Sequence, residues 1–155
     1  MKRTQLRSKD VSRILECFGL EISKKDTVEL VEDDSNNLKL ILLNRELAFF
    51  YHDDRIIPTL QYLQKNPFLK KVAIDRGAIK FIINGADVMR PGITSFDQTI
   101  LGDDIIMIVD QEHQKPLAVG FALMSSAELA TTTSGKAVKN LHFVGDRIWT
   151  WKVSG

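Results

Sequence analysis

The stretch from Asp75 to Gly92 constrains the fold of this chain most, because glycine and proline punctuate it at regular intervals. Gly77 is placed to open a short helix after a strand that ends at Asp75, and Gly85 is placed to close that helix. Pro91-Gly92 turns the chain again after four alternating residues. The pattern predicts a strand, a short helix and a further short strand that follow one another closely.

Length and composition favour two small packed domains. A chain of 155 residues exceeds one minimal domain yet is too short for two large ones, and its hydrophobic content of 44% supports an ordinary core. We predict an α+β fold in which a small α/β meander domain, residues 1–71, precedes a mainly β domain, residues 72–155. A short basic link from Phe68 to Lys71 joins the two domains.

The first predicted domain begins with an amphipathic helix. Ser8 is placed to cap this helix, and Gly19 stands where the helix should end. Pro58 suits the first position of a second helix, which continues to Gln64. The apolar positions of the first helix are Val11, Ile14, Leu15 and Phe18, and the strands of an antiparallel meander are Thr27 to Glu32, Leu38 to Leu43 and Leu47 to Tyr51.

The second predicted domain is mainly β, with one short helix inserted early. Apolar segments alternate with polar turns, and Ala127 to Ala130 adds one helical turn. A last hairpin turns at Gly145-Asp146. The predicted strands are Val72 to Ile74, Asp104 to Val109, Leu117 to Met124, Asn140 to Val144 and Arg147 to Val153.

The sequence excludes several classes of protein. No apolar run approaches the roughly eighteen residues of a membrane span, and the basic N-terminus does not lead into a uniformly apolar signal segment, so we expect a cytoplasmic protein. Cys17 is the only cysteine, which excludes an intramolecular disulfide and a multi-cysteine zinc site. We interpret its side chain as a small apolar group of the first helix.

Charge is distributed unevenly, although the net charge is only +1. Residues 1–71 hold 13 Lys/Arg against 11 Asp/Glu, and five of those basic residues precede Ile14 with only Asp10 opposing them. Residues 72–155 hold 8 Lys/Arg against 9 Asp/Glu. Any nucleic-acid site in the second domain must therefore be a local cluster of well-placed groups.

Polar residues recur at helical spacing within the stretch from Asp75 to Gly92, which we call the glycine-punctuated segment. Arg76, Lys80 and Asn84 share one face of the predicted helix, and Arg90 follows on the next short strand. This stripe, with N–H groups near the glycine turns, could hold a backbone phosphate. The alternative interpretation is an ordinary solvated helix face. The residues expected to turn mainly inward are Ala78, Ile79, Ile82 and Ile83.

The two tryptophans have two interpretations. Trp149, Trp151 and Arg147 share one face of the predicted last strand, where the aromatic rings could stack on exposed bases. Tryptophan is normally well buried, so the rings could instead cover the end of the domain or the boundary between domains. We assign base stacking to neither residue.

Other candidate motifs predict no chemistry. The segment Ser134-Gly135-Lys136-Ala137 lacks the first glycine and the final Ser/Thr of a phosphate-binding loop. His52-Asp53-Asp54 predicts a polar turn, since three adjacent residues do not easily converge on one ion. His113 and His142 stand in no recognised nucleophile pattern. We predict no catalytic residue, no cofactor and no metal site.

The glycine-punctuated segment resembles the PUA domain, a small pseudo-barrel RNA-binding module of pseudouridine synthases and archaeosine transglycosylases. From about Thr27 onward the chain is similar to the malignant-T-cell-amplified-sequence family of translation proteins and their archaeal relatives. The resemblance implies a pre-PUA domain followed by a PUA pseudo-barrel over residues 72–152. The motifs that carry it are Asp75-Arg76-Gly77-Ala78, Asn84-Gly85-Ala86-Asp87-Val88-Met89, Arg90-Pro91-Gly92-Ile93, Asn44 to Phe50, and Pro58-Thr59-Leu60 through Pro67-Phe68.

The resemblance also implies a non-enzymatic role in translation. Eukaryotic members of the family work with the density-regulated protein at the small ribosomal subunit, near the initiator tRNA, in reinitiation and recycling. PUA domains grip mainly the RNA backbone, so the expected partner is structured RNA, either tRNA or small-subunit rRNA, with a separate translation-factor chain as a further candidate and no membrane or DNA. The RNA-binding residues implied are Arg76, Gly77, Lys80, Asn84, Gly85, Ala86, Met89 and Arg90.

Two other functions stay open at the level of the sequence. A protein-interaction adaptor, whose barrel has lost useful RNA affinity, fits the near-neutral charge of residues 72–155. An accessory RNA-binding subunit of an RNA-modification enzyme fits the resemblance in fold, but it would need a separate catalytic chain.

Overall fold

The computed structural model describes residues 1–16 and 18–153, without the side chains of Ser8 and Ile14. The interpretation of Cys17 therefore lies outside the described residues. The chain divides after Tyr62 into two compact units, and each contains its own β-sheet, which confirms the α+β class. The domain boundary after Lys71 stays a prediction. Within the described ranges, no helix is long and apolar enough to span a membrane.

The first unit is built on a five-stranded antiparallel sheet. Two of these strands were not predicted: the first, whose four residues are all exposed, and the last, which precedes the second helix. An exposed strand lacks the apolar alternation that identifies strands in a sequence. In pairing order the strands are β1 (Lys2–Gln5), β2 (Val28–Asp33), β3 (Leu38–Leu43), β4 (Glu46–His52) and β5 (Arg55–Pro58).

The amphipathic helix α1 (Ser8–Glu16) forms as predicted. Val11 and Leu15 are buried in one cluster with Phe49 of β4, and the ring of Phe18 stacks on Phe49 with centroids 5.9 Å apart. Gly19, with φ of +68°, turns the chain after the helix. Capping by the Ser8 side chain lies outside the described atoms.

The predicted position of Pro58 is wrong. Pro58 is the last residue of β5, where it pairs with Phe49 at the edge of the sheet and needs no N–H for a further neighbour. The second helix, α2 (Leu60–Lys65), begins two residues later. Thr59 starts it, because its Oγ1 accepts the N–H of Tyr62 at 3.2 Å while donating to the Ala48 carbonyl, also at 3.2 Å.

Two tight turns of the first sheet form at polar residues between strands. Asn44 and Arg45 join β3 to β4 with φ of 51° and 68°, and Asp53 and Asp54 join β4 to β5 with φ of 46° and 66°. Two consecutive residues with positive φ define the hairpin turn that suits the twist of paired strands. The prediction of a polar turn after His52 is therefore confirmed.

The second unit is a six-stranded mixed sheet that curls into a nearly closed pseudo-barrel. Its core holds Ile74, Ile82, Val88, Ile106 and Val138, all buried. Its strands are β6 (Lys71–Ile74), β7 (Val88–Met89), β8 (Ile93–Phe96), β9 (Ile105–Asp110), β10 (Pro116–Ala122) and β11 (Lys136–Phe143), and they pair in the order β7-β11-β10-β9-β6-β8.

A parallel contact distinguishes this sheet from a simple meander. β6 runs parallel to β9, whereas the other pairs are antiparallel. Between β6 and β7 lies the short helix α3 (Ile79–Ile82). The predicted turn at Ala127 to Ala130 is the helix α4 (Ser126–Thr131), which begins with a capping box between Ser125 and Glu128.

The predicted final strand, Arg147 to Val153, is wrong. Residues Arg147–Thr150 form a short helix, α5, and β11 carries the last strand. The cause is Asp146, whose Oδ1 accepts the N–H of Trp149 at 2.8 Å and caps the first turn. The expected alternation of Trp149 and Trp151 along one strand face does not exist.

Candidate functional site

The glycine-punctuated segment is a closed loop in space. Asp75 Oδ1 accepts the N–H of Ala78 at 2.9 Å, which starts the 3-10 turn Arg76–Ala78 that leads into α3. A second 3-10 turn, Arg90–Gly92, ends the segment, and the Gly92 carbonyl accepts the N–H of Asp75 at 2.9 Å. The two ends of the segment are therefore bonded to each other, which holds α3 and β7 in place.

Two glycines allow this close packing. A side chain at Gly92 would bring its Cβ to 3.3 Å from Ala78 Cβ. Gly85 has φ of +95°, and a Cβ there would lie 3.2 Å from the Phe143 ring. The turn after α3 therefore requires glycine both for its backbone conformation and for its contact with β11.

An open groove with a volume of about 580 Å³ lies along this segment. We call it the glycine groove, and it is lined by residues between Asp75 and Gly92 and by Lys136. Part of its apolar lining is exposed to solvent: Phe81 is 57% accessible and Met89 is 47% accessible. Exposed large apolar side chains gathered at one concave surface indicate a binding surface.

Of the predicted site residues, Gly77, Ala86 and Met89 line the groove, and the others belong to the same segment without lining it. Arg76 and Lys80 are exposed, and the Lys80 amine lies 5.1 Å from the centroid of the Phe81 ring. Ile83, expected to face inward, is 38% exposed, so the inward face of α3 is narrower than predicted. The other exposed members of the predicted set are Gly77, Asn84, Gly85, Ala86 and Met89.

Asn84 and Arg90 use their donors within the protein. Asn84 Nδ2 donates to the Lys80 carbonyl at 2.6 Å. Arg90 Nε donates to the Leu129 carbonyl at 2.9 Å, Arg90 Nη1 donates to the Ile93 carbonyl at 3.2 Å, and the guanidinium lies 5.6 Å from the Phe96 ring centroid. Arg90 is half-buried and joins the second 3-10 turn to α4 and β8. Its predicted contact with RNA stays a prediction.

Lys136 lines the groove although it is not among the predicted site residues. It begins β11 and pairs with Met89 of β7, and its amine lies 3.5 Å from Asp87 Oδ2. The carbonyl of Gly135 accepts the N–H of Arg90 at 2.8 Å, so the backbone at this position is fixed. Strand pairing between distant segments brings Lys136 here, and no local motif signals it.

Asn140 supports the groove from the same strand. Its Nδ2 donates to the carbonyls of Ile82 and Ala86, both at 3.0 Å, and its backbone N–H donates to Asp87 Oδ1 at 2.9 Å. The end of α3 and the Gly85 turn are therefore bonded to β11. The sequence offered no signal for this role, because the partners are more than fifty residues away.

A buried histidine contacts an aspartate near the end of the second unit. His142 is fully buried, and its Nδ1 lies 2.8 Å from Asp146 Oδ2. Burial alone would raise the pKa of Asp146, but the hydrogen bonds from His142 and from the N–H groups of Trp149 and Phe143 lower this pKa below its ordinary value of 3.8. Among the residues that the structure describes, no group of His, Cys, Asp and Glu could hold a metal ion.

Comparison with known families defines the class of protein. Residues 70–144 match the PUA domain, and residues 2–66 match a domain of unknown function, DUF1947. The chain is thus a PUA-domain protein with a second domain before the PUA domain, as the motifs of the glycine-punctuated segment predict.

Individual relatives define the family. An uncharacterized protein of Methanocaldococcus jannaschii is 45% identical over 159 residues, which cover 97% of this chain and 97% of that protein. Malignant T-cell-amplified sequence 1 of Rattus norvegicus is 34% identical, with 91% and 84% covered. Translation machinery-associated protein 20 of Eremothecium gossypii is 32% identical, with 85% and 76% covered. This chain belongs to the malignant-T-cell-amplified-sequence family.

Solved structures share the fold. A hypothetical protein from Pyrococcus horikoshii superposes with a TM-score of 0.82 at 35% identity, covering 96% of this chain and 98% of that one. A chain of an H/ACA ribonucleoprotein bound to a substrate RNA superposes with a TM-score of 0.50 at 29% identity, covering 62% of this chain and 29% of that one.

Proposed function

We propose that this protein is a non-enzymatic RNA-binding protein that acts in translation, in the cytoplasm, by docking on tRNA or small-subunit rRNA through the glycine groove. The observation that carries the proposal is the groove itself: an open, partly apolar surface along a segment with two closely packed glycine turns, on which Arg76 and Lys80 are exposed. Its setting in a PUA domain supports RNA as the partner.

The chemistry of the groove suits a nucleic-acid backbone with unpaired segments. The cations of Arg76 and Lys80 can bind phosphate, while Phe81 and Met89 offer apolar contact to sugars and unstacked bases. The second domain has no overall positive charge, so shape and exposed backbone must contribute much of the recognition. A role in translation is supported by relatives named malignant T-cell-amplified sequence 1 and translation machinery-associated protein 20.

A salt titration of RNA binding tests this proposal. The double variant Arg76→Gln/Lys80→Gln removes two exposed cations, of which Lys80 also contacts the Phe81 ring. For contacts with single-stranded RNA, the slope of log K against log salt should become shallower by about 1.4, since each lost phosphate contact contributes about 0.7. Fluorescence anisotropy with labelled tRNA and with a small-subunit rRNA fragment measures both affinity and slope.

The control is Lys115→Gln, which removes one positive charge, as each substitution of the double variant does, but in the β9–β10 hairpin, outside the residues that line the groove. This control should bind RNA like the unchanged protein. Equal slopes for the double variant and the control would remove Arg76 and Lys80 from the RNA site, and an unchanged protein that binds neither RNA would contradict the function itself.

The protein-interaction adaptor is the second candidate, and the near-neutral charge of residues 72–155 favours it. Capture of partners from a lysate, with and without ribonuclease, separates the two functions. Partners of an RNA-binding protein should be lost on digestion because RNA connects them, whereas partners of an adaptor should remain.

A further inference from the structure

We propose that Lys136 is a phosphate-binding residue in the wall of the glycine groove, in addition to Arg76 and Lys80 outside its lining, and that Asp87 competes with RNA for the Lys136 amine. The proposal rests on the RNA-binding function proposed above and adds to it a residue on β11 and an internal competitor. Lys136 lies outside the segment that the family resemblance identifies, and its place in the groove follows from the pairing of β11 with β7.

The backbone of Lys136 is fixed while its amine stays accessible. Lys136 pairs with Met89, and the adjacent Gly135 carbonyl accepts the Arg90 N–H at 2.8 Å. The Lys136 side chain is nevertheless 65% exposed and reaches the groove. A cation on a rigid strand at the wall of an apolar groove is well placed to meet a phosphate that follows the groove.

Asp87 differs from Lys136 because its carboxylate is fixed. Its Oδ1 accepts the backbone N–H of Asn140 at 2.9 Å, and its Oδ2 lies 3.5 Å from the Lys136 amine. An ion pair this exposed contributes little to stability, so a phosphate can replace Asp87 as the partner of Lys136. The carboxylate then remains beside the bound phosphate and repels it. Asp87 should therefore weaken RNA binding while keeping Lys136 directed toward the groove.

Three variants test this arrangement by anisotropy across a range of salt concentrations. Lys136→Gln should weaken binding of the labelled RNA and make the salt slope shallower by about 0.7. Asp87→Asn should strengthen binding by about twofold to fivefold at 0.1 M salt, because it removes one negative charge near the phosphate. The Asn side chain keeps an oxygen that can accept the Asn140 N–H, so the turn should keep its shape.

The double variant Asp87→Asn/Lys136→Gln distinguishes competition between Asp87 and RNA for the Lys136 amine from a general effect of charge on RNA binding. If Asp87 acts through Lys136, the gain from Asp87→Asn should shrink when Lys136 is absent, so the two effects should not add. Fully additive effects would overturn the competition between Asp87 and RNA. Unfolding curves of all three variants should stay close to that of the unchanged protein, because the ion pair is partly exposed and the Asn side chain can still accept the Asn140 N–H.

Failure of this inference can be told apart from failure of the proposed function. If Arg76→Gln/Lys80→Gln weakens binding while Lys136→Gln behaves like the Lys115→Gln control, Lys136 is not a phosphate contact and the proposed function stands. If the unchanged protein binds no RNA at any salt concentration, both proposals are wrong.

Discussion

Asn140 should be a positioning residue for the glycine groove, and its replacement gives a quantitative test of how the groove is held. Asn140→Ala removes the two hydrogen bonds to the carbonyls of Ile82 and Ala86. At roughly 1 kcal/mol for each hydrogen bond, the loss comes to about 2 kcal/mol. The buried Oδ1 of Asn140 accepts no hydrogen bond from the described residues, and its removal offsets part of this cost. We therefore expect a decrease of about 1–2 kcal/mol in the free energy of unfolding.

Asn140→Asp makes the test more specific because it keeps the shape of the side chain. A carboxylate would face the two carbonyl oxygens without a proton to donate, so this variant should be less stable than Asn140→Ala at pH 7. The difference between the two variants should narrow as the pH falls toward about 4, because a carboxyl group that is destabilised as the anion takes up a proton above its ordinary pKa and can then donate one hydrogen bond. Asn84→Ala is the matched control, since it removes the same atoms from an exposed position, and it should cost much less.

Urea denaturation followed by tryptophan fluorescence is the suitable assay, because Trp149 and Trp151, the only tryptophans, both belong to the second unit. RNA binding should weaken in Asn140→Ala even where the protein is fully folded, since the Gly85 turn loses its attachment to β11. If the free energy of unfolding of Asn140→Ala lies within about 0.5 kcal/mol of that of the unchanged protein, the two hydrogen bonds of Asn140 do not hold the Gly85 turn. The same conclusion follows if Asn140→Asp is as stable as Asn140→Ala at pH 7.

Two further predictions concern the second unit. Gly120→Ala should lower the free energy of unfolding by about 1–3 kcal/mol in urea denaturation. The new Cβ would press on the Lys139 carbonyl and lie 2.8 Å from Val138 Cγ1. Gly102→Ala is the control and should change little, because a Cβ there would meet nothing within 4 Å. The free energy of unfolding should fall as the pH drops below about 4, because the lowered pKa of Asp146 stabilises the fold only while this carboxyl is ionised. Asp146→Asn should make that pH dependence shallower, and an unchanged pH dependence would contradict the assigned role of Asp146.

Local sequence signals predicted much of the fold. The hairpin at Asn44-Arg45 between two predicted strands, the Gly85 turn and the helical turn at Ala127 to Ala130 all depend on residues within a few positions of one another. The predicted strand from Arg147 failed because a short apolar alternation fits a strand or a helical turn equally well, and the Asp146 side chain selects the helix.

The supporting residues of the site could not be predicted in the same way. The roles of Lys136 and Asn140 depend on pairing of β11 with β7 and with the turn after α3, which no single-sequence periodicity reports. Arg90 has a supporting role that the sequence did not signal either. Its guanidinium donates to two carbonyls, and its predicted contact with RNA stays a prediction.

Ultraviolet crosslinking of the protein to bound tRNA or small-subunit rRNA, followed by mass spectrometry of the crosslinked peptides, shows which surface of the protein contacts RNA. If the glycine groove is the RNA surface, crosslinks should concentrate on the peptide that contains Phe81 and Met89, which are exposed there. Addition of excess unlabelled RNA should reduce them. Crosslinks confined to residues before Tyr62, or none above those of a protein that does not bind RNA, would contradict the account.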